Sequence, residues 1–89
     1  MALFNVIYEN RFKKDLKLQQ KRGKDLAKLF DIVELIINSD VLPAKCRPHI
    51  LSGDWDGFWE LHIEPDWLLI YEIDDSIYLA RTGTHSDLF

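Results

Sequence analysis

Leu26, Leu29, Phe30, Val33, Ile36 and Ile37 recur at the i, i+3, i+4, i+7 spacing of one helical face, and no other stretch of the chain restricts the fold as tightly. A stripe this broad has to be buried against other elements, so the segment reads as a core helix and not as a cofactor box. Asn38-Ser39-Asp40 and Pro43 end it, and Pro48 restricts the backbone before His49-Ile50-Leu51, which implies a loop of about ten residues. From His49 onward the pattern changes to short runs of Trp, Phe, Ile, Leu and Tyr, separated by Ser52-Gly53-Asp54, Pro65-Asp66 and Asp74-Asp75. These runs predict three or four antiparallel strands.

Upstream, Phe4 to Tyr8 mix aromatic and β-branched residues and then meet Glu9-Asn10, a short first strand followed by a helix N-cap. A helix over about Arg11 to Lys21 buries a narrow stripe of Phe12, Leu16 and Leu18 beneath a basic outer face, and Gly23 breaks it. One strand, two helices and a mainly antiparallel β meander make an α+β fold with the helix pair packed on one face of the sheet. With 89 residues, the expectation is one core and one domain over residues 1–89.

No apolar run approaches the roughly 18 to 20 residues that cross a bilayer, and the first residues lack the order of a signal peptide, so a cytoplasmic protein with no membrane partner is expected. A single cysteine, Cys46, excludes an internal disulfide and a thiolate-rich zinc site. The net charge of −4 hides a segregation: residues 11 to 28 hold eight Lys or Arg against Asp15 and Asp25. Such a run is ordinarily a solvated helix face; its functional reading is a phosphate-contacting patch.

His49, His62, Asp66, Arg81 and His85 all fall at strand ends or turns. Each has a bland alternative: a solvated histidine, a Pro-Asp turn former, an arginine paired with a surface acid. Hairpins at Pro65-Asp66 and Asp74-Asp75 nevertheless bring His62, the 65-to-67 turn and Arg81 to one end of the sheet. The faces depend on register, since side chains alternate. Two-residue loops set 62 opposite 69 and 69 opposite 80, with Arg81 pointing away from His62. A three-residue loop Pro65-Asp66-Trp67 sets 62 opposite 70 and 70 opposite 79, with His62, Leu79 and Arg81 on one face. Convergence of the group therefore requires an odd-length loop or a bulge near residue 65.

These groups suit RNA cleavage, in which the 2′-hydroxyl attacks the adjacent phosphorus while one group takes its proton and another protonates the departing 5′-oxygen. Imidazoles and carboxylates serve near neutral pH, and Arg81, the one arginine after His49, is the candidate guanidinium to meet charge on the phosphoryl oxygens. Trp67 and Phe89 can stack on bases, with a core position the alternative for Trp67 and a frayed terminus for Phe89. A metal site is the competing chemistry. His62 and His85 lack a close ligand spacing such as His-x-x-x-His and there is no Cys pair, so no metal or other cofactor is assigned.

Three segments, Lys-Asp-Leu-Lys-Leu-Gln-Gln-Lys-Arg-Gly-Lys-Asp (14 to 25), His-Ile-Glu-Pro-Asp-Trp-Leu-Leu-Ile-Tyr (62 to 71) and Arg-Thr-Gly-Thr-His (81 to 85), resemble the YafQ branch of the RelE/ParE superfamily of bacterial toxin–antitoxin systems. The resemblance spans nearly the whole chain. It implies a RelE-like fold and a toxin that enters the ribosomal A site and cuts the bound mRNA without a metal cofactor. On this resemblance His49, His62, Asp66 and His85 form the acid/base group, Arg81 stabilises the phosphate, and Trp67 and Phe89 surround the substrate. His85 would protonate the leaving group, with Asp66 or a histidine as base. Lys13, Lys14, Lys17, Lys21 and Arg22 become candidates for contact with 16S rRNA phosphates. A DinJ-like antitoxin is the implied partner, and operator DNA is bound only by the toxin–antitoxin complex. Two alternatives stay open: a ParE-like gyrase inhibitor acting by binding, and a catalytically silent antitoxin-binding module.

Overall fold

The computed structural model describes residues 5–89. Its elements run β1 (Val6–Tyr8), α1 (Asn10–Lys21), α2 (Leu26–Ile37), β2 (His49–Ile50), β3 (Trp59–Glu64), β4 (Trp67–Ile73), β5 (Ile77–Gly83) and α3 (His85–Leu88). This is the expected strand, helix pair and meander, with one addition, the short C-terminal helix. Phe4, assigned to the first strand from sequence, lies outside the described residues.

The five strands form one sheet in the order β1-β5-β4-β3-β2. β2 to β5 are antiparallel neighbours, and β1 joins the β5 edge in parallel, Val6 opposite Ile77 and Tyr8 opposite Leu79. Both helices lie on one side, where Phe12, Leu29, Ile32, Val33 and Ile36 pack with Leu61, Trp67, Leu69 and Leu79. The far side is covered differently: Leu68 and Ile70 lie beneath Leu88, with Leu51, Trp55 and Phe58 packed around them.

α2 carries the predicted stripe, widened by Ile32, because a helix lying on a sheet buries a broader arc than one at its rim. Asp25 caps its N-terminus, accepting a hydrogen bond from the Ala27 N–H. α1 differs from expectation at one position. Leu18 is exposed and Gln19 is buried, because positions 12, 16 and 19 share one side of the helix and 18 points about a third of a turn away. Glu9 occupies the N-cap of α1 without a side-chain cap bond, and Asn10 already belongs to the helix.

Trp67 is 0% exposed. Its indole N–H donates to the Thr82 hydroxyl at 2.9 Å, which donates in turn to the Leu68 carbonyl at 2.6 Å. A buried indole whose donor is satisfied is a core side chain. The expectation that Trp67 stacks on a base is therefore corrected.

Candidate active site

Two irregularities in the sheet decide which way the site residues face. Pro65-Asp66 is a two-residue turn with Glu64 opposite Trp67, which in a regular ladder would place His62 opposite Leu69, on the helix side. Ile63 is instead a bulge residue, and His62 pairs with Leu68 on the far side. β5 repeats the device. Leu79 pairs with Tyr71, Ala80 is the extra residue, and Arg81 pairs with Ile70. Without that extra residue Arg81 would sit opposite Leu69 and face the helices.

The predicted irregularity near residue 65 is thus present as a bulge and not as a three-residue loop. Its partner assignments are corrected: His62 opposes Leu68 and not Ile70, and Leu79 lies in the helix-side core and not beside His62. His62 and Arg81 still share a face, because each bulge turns one of them. Across the sheet, His49, Glu60, Ile70 and Arg81 make one cross-strand row, and His62, Leu68 and Gly83 the next.

α3 delivers His85 to this end of the sheet. Thr84 is its N-cap, accepting from the Asp87 N–H at 3.1 Å while the Asp87 carboxylate accepts from the Thr84 N–H at 2.9 Å, a reciprocal capping box. The pattern Thr-x-x-Asp over residues 84 to 87 was a readable signal for this unexpected helix.

Asp66 Oδ1 accepts from the His85 backbone N–H at 3.0 Å and lies 2.6 Å from His85 Nδ1. These bonds, the backbone one first, hold the Asp66 carboxyl below its ordinary value, so it is ionised at neutral pH and can only accept. The proton of a neutral His85 ring therefore sits on Nδ1, leaving the Nε2 lone pair outward. His62 Nδ1 lies 3.3 Å from the Pro65 carbonyl, which also only accepts, so the same tautomer follows there. The two imidazoles are 5.7 Å apart between ring centroids and tilted by 50°. Two histidines with their Nδ1 positions anchored and their Nε2 positions available are an acid/base pair when one carries a proton and the other does not.

The remaining sequence-predicted residues are not all equally free. His49 has Nδ1 3.1 Å from the Arg47 carbonyl and Nε2 3.3 Å from Oε1 of Glu60, a carboxylate only 5% exposed that sequence reasoning missed. Arg81 is held by Asp15 of α1, which accepts from Nε at 2.7 Å and Nη2 at 3.3 Å and takes the Thr82 backbone N–H at 3.1 Å as well. That backbone group is an edge donor of β5 beyond the end of β1, and Asp15 supplies the acceptor that a further strand would have given. Phe89 is 62% exposed at the end of α3.

The basic run divides. Lys13, Lys14, Lys17 and Lys21 are exposed, and none of the ion pairs among the described residues involves them. Arg22, also exposed, differs from them in being bidentate on Asp87, at 2.6 and 3.2 Å. Among the described residues no group of three or more His, Cys, Asp or Glu side chains is arranged to hold a metal ion. No helix among them is long and apolar enough to cross a membrane.

A family model described as the bacterial toxin YafQ of type II toxin–antitoxin systems matches residues 4–89. The mRNA interferase toxin YafQ of Escherichia coli strain K12 is 45% identical over 87 residues, 96% of this chain and 95% of its own. The crystal structure of YafQ from E. coli strain BL21(DE3) superimposes with a TM-score of 0.90 at 44% identity, covering 96% of this chain and 97% of that one. YafQ in the crystal structure of the E. coli DinJ–YafQ toxin–antitoxin complex gives 0.87 at 44% identity, with 98% of each chain covered. The fold is that of the RelE-like toxins. Within that class, the chain belongs to the YafQ family of bacterial toxins of type II toxin–antitoxin systems.

Arg22 and the capping-box bonds hold the Asp87 carboxyl well below the usual carboxylate range, with the arginine the largest cause. A carboxylate depressed in the folded state stabilises it above the unfolded value of 3.8 and loses that contribution as pH falls below it. Wild type should therefore be more stable than Asp87→Asn in urea unfolding at neutral pH, with the gap closing as pH drops below about 4. A gap independent of pH would contradict the assignment.

Proposed function

We propose that this chain is a ribosome-dependent endoribonuclease that cuts mRNA in the A site, with its own side chains as acid and base. The observation that carries the reading is the pairing of His62 with His85, the latter backed by Asp66, at 5.7 Å between rings. The E. coli relatives bear the name mRNA interferase, which supports the same reaction.

In the proposed reaction His62 Nε2 takes the proton of the 2′-hydroxyl, O2′ bonds to phosphorus, the bond from phosphorus to O5′ breaks, and His85 Nε2 gives its proton to O5′. The products are a 2′,3′-cyclic phosphate and a 5′-hydroxyl. Asp66 orients the His85 ring and stabilises its cationic form, a role that suits a low-pKa carboxylate better than proton abstraction does. Arg81 keeps guanidinium hydrogens beyond the two given to Asp15 and meets the charge on the phosphoryl oxygens. His49, one row away, contributes to the same polar surface, and Phe89 offers a ring to a splayed base. No step in this scheme calls on a metal ion.

The exposed lysines of α1 make the ribosomal docking face, where rRNA phosphates are the complementary surface. The inhibiting partner is an antitoxin of the DinJ type, as in the complexes of the E. coli relative, and the free toxin resides in the cytoplasm.

Primer extension on a defined mRNA in a translating system tests the catalytic reading. Wild type should leave codon-positioned ends, and His85→Ala should lose them by roughly 100- to 10,000-fold; undiminished cutting by the variant would refute the assigned role. A second measurement addresses docking. Charge reversal at Lys14, Lys17 and Lys21 together should weaken ribosome binding at low salt while the circular dichroism spectrum stays unchanged, and unaltered affinity would reject the patch.

A further inference from the structure

Arg22, Lys24 and Lys28 surround the junction of α1 and α2, a segment with no contact to substrate in the scheme above, yet its cations reach the two chain segments that carry the catalytic dyad. Arg22 grips Asp87, two residues past His85. Lys24 and Lys28 donate to the two oxygens of Glu64, at 2.7 and 2.9 Å, two residues before Asp66. The short bond between Asp66 and His85 therefore bridges two turns, and each turn is anchored to the same junction.

We infer that this junction is a positioning clamp: Arg22 through Asp87, and Lys24 with Lys28 through Glu64, set the placement of His85 against Asp66 and so tune the cleavage rate. The inference rests on the nuclease reading for its consequence, though not for its geometry.

Several features argue for positioning over general stabilisation. α3 is only four residues long, too short to hold its own orientation by helix propensity. Leu88, packed on Leu68 and Ile70, and the Asp87 contacts tie it to the rest of the fold. The Arg22 fork engages both carboxylate oxygens, which sets direction as well as distance. Gly83, at the base of α3, leaves no room for change: a Cβ there would meet Asp87 Oδ2 at 2.8 Å and Asp87 Cβ at 2.9 Å. The missing side chain lets Asp87 lie directly against the end of β5. On the other arm, Lys24 Nζ also sits 5.7 Å from the centroid of the buried Trp67 ring, the first residue of β4 after the Asp66 turn.

The ion pairs lower the Asp87 and Glu64 carboxyls, so both remain charged across the pH range in which a toxin works. Beyond the stability that the depressed Asp87 carboxyl contributes, the pairs fix geometry. Geometry is where they matter, because displacing a reacting group by about 1 Å can cost on the order of 100-fold in rate.

The test compares wild type with Arg22→Gln, Arg22→Lys and Glu64→Gln in two assays. Single-turnover cutting on programmed ribosomes at saturating toxin should fall by roughly 10- to 100-fold for Arg22→Gln and Glu64→Gln, with ribosome affinity changed by less than about threefold and partial recovery in Arg22→Lys. In the free protein, the 15N shift of His85 Nδ1 should move away from its wild-type position in Arg22→Gln and Glu64→Gln, because the bond to Asp66 loosens. Loss confined to affinity, at unchanged saturating rate, would make Arg22 an rRNA contact and overturn the clamp. An unmoved His85 signal would overturn it too. If wild type itself leaves mRNA intact on the ribosome, the nuclease reading falls, and the NMR arm still decides the clamp.

Discussion

Everything at the polar end of this molecule depends on the two extra residues in the sheet, Ile63 and Ala80. A strand alternates its side chains, so a single inserted residue exchanges the faces of all that follows until the ladder resumes. At Ile63 the insertion turns His62 out of the helix-side core, and it sends Glu64 back toward α2, where Lys24 and Lys28 meet it. At Ala80 the insertion lets Leu79 complete the core while Arg81, two residues later, takes the opposite face. A regular meander of the same sequence would turn a histidine and an arginine toward the apolar helix-side core, where burying a polar or charged group is costly.

What the sequence disclosed and what it hid divide along the same line. Periodicity is a local property, so the α2 stripe, the positions of the hairpin turns and the order of elements up to β5 were legible from spacing alone, while α3 was not expected. The need for an irregularity beside Pro65-Asp66 followed from assuming a two-residue turn at Asp74-Asp75; that turn takes in Ser76 as well, with Ile73 opposite Ile77, and the bulge at Ala80 is what returns Arg81 to the face of His62. A three-residue loop and a bulge leave His62 on the same face, so spacing alone does not choose between them. Contacts across great separations were invisible. Arg22 and Asp87 are 65 residues apart, and Arg81 and Asp15 are 66 apart. Nothing in the spacing of a basic run says which of its cations will turn inward. Trp67 shows the converse: an aromatic residue beside a functional turn reads equally as a stacking platform or as core, and Thr82, the partner that decides for core, lies on another strand.

Charge in this chain has two uses that composition blends into one number. Part of the basic segment is consumed internally, by Asp87 and Glu64, and those acids do more for the geometry of the site than for the net balance of −4. The unpaired lysines of α1 remain for an anionic surface. An acidic protein can therefore carry a docking face for RNA, because association responds to the local field over about a Debye length and not to the sum over the chain.

The central claim is that His85 is the proton donor to the leaving oxygen and His62 the acceptor from the attacking hydroxyl. It is tested most directly by replacing the scissile 5′-oxygen of the A-site codon with sulfur, since a thiolate leaves without needing a proton. The account predicts that His85→Ala cuts this mRNA on the ribosome at close to the wild-type rate, whereas His62→Ala remains defective on both mRNAs. Equal impairment of His85→Ala on the oxygen and sulfur substrates would contradict it.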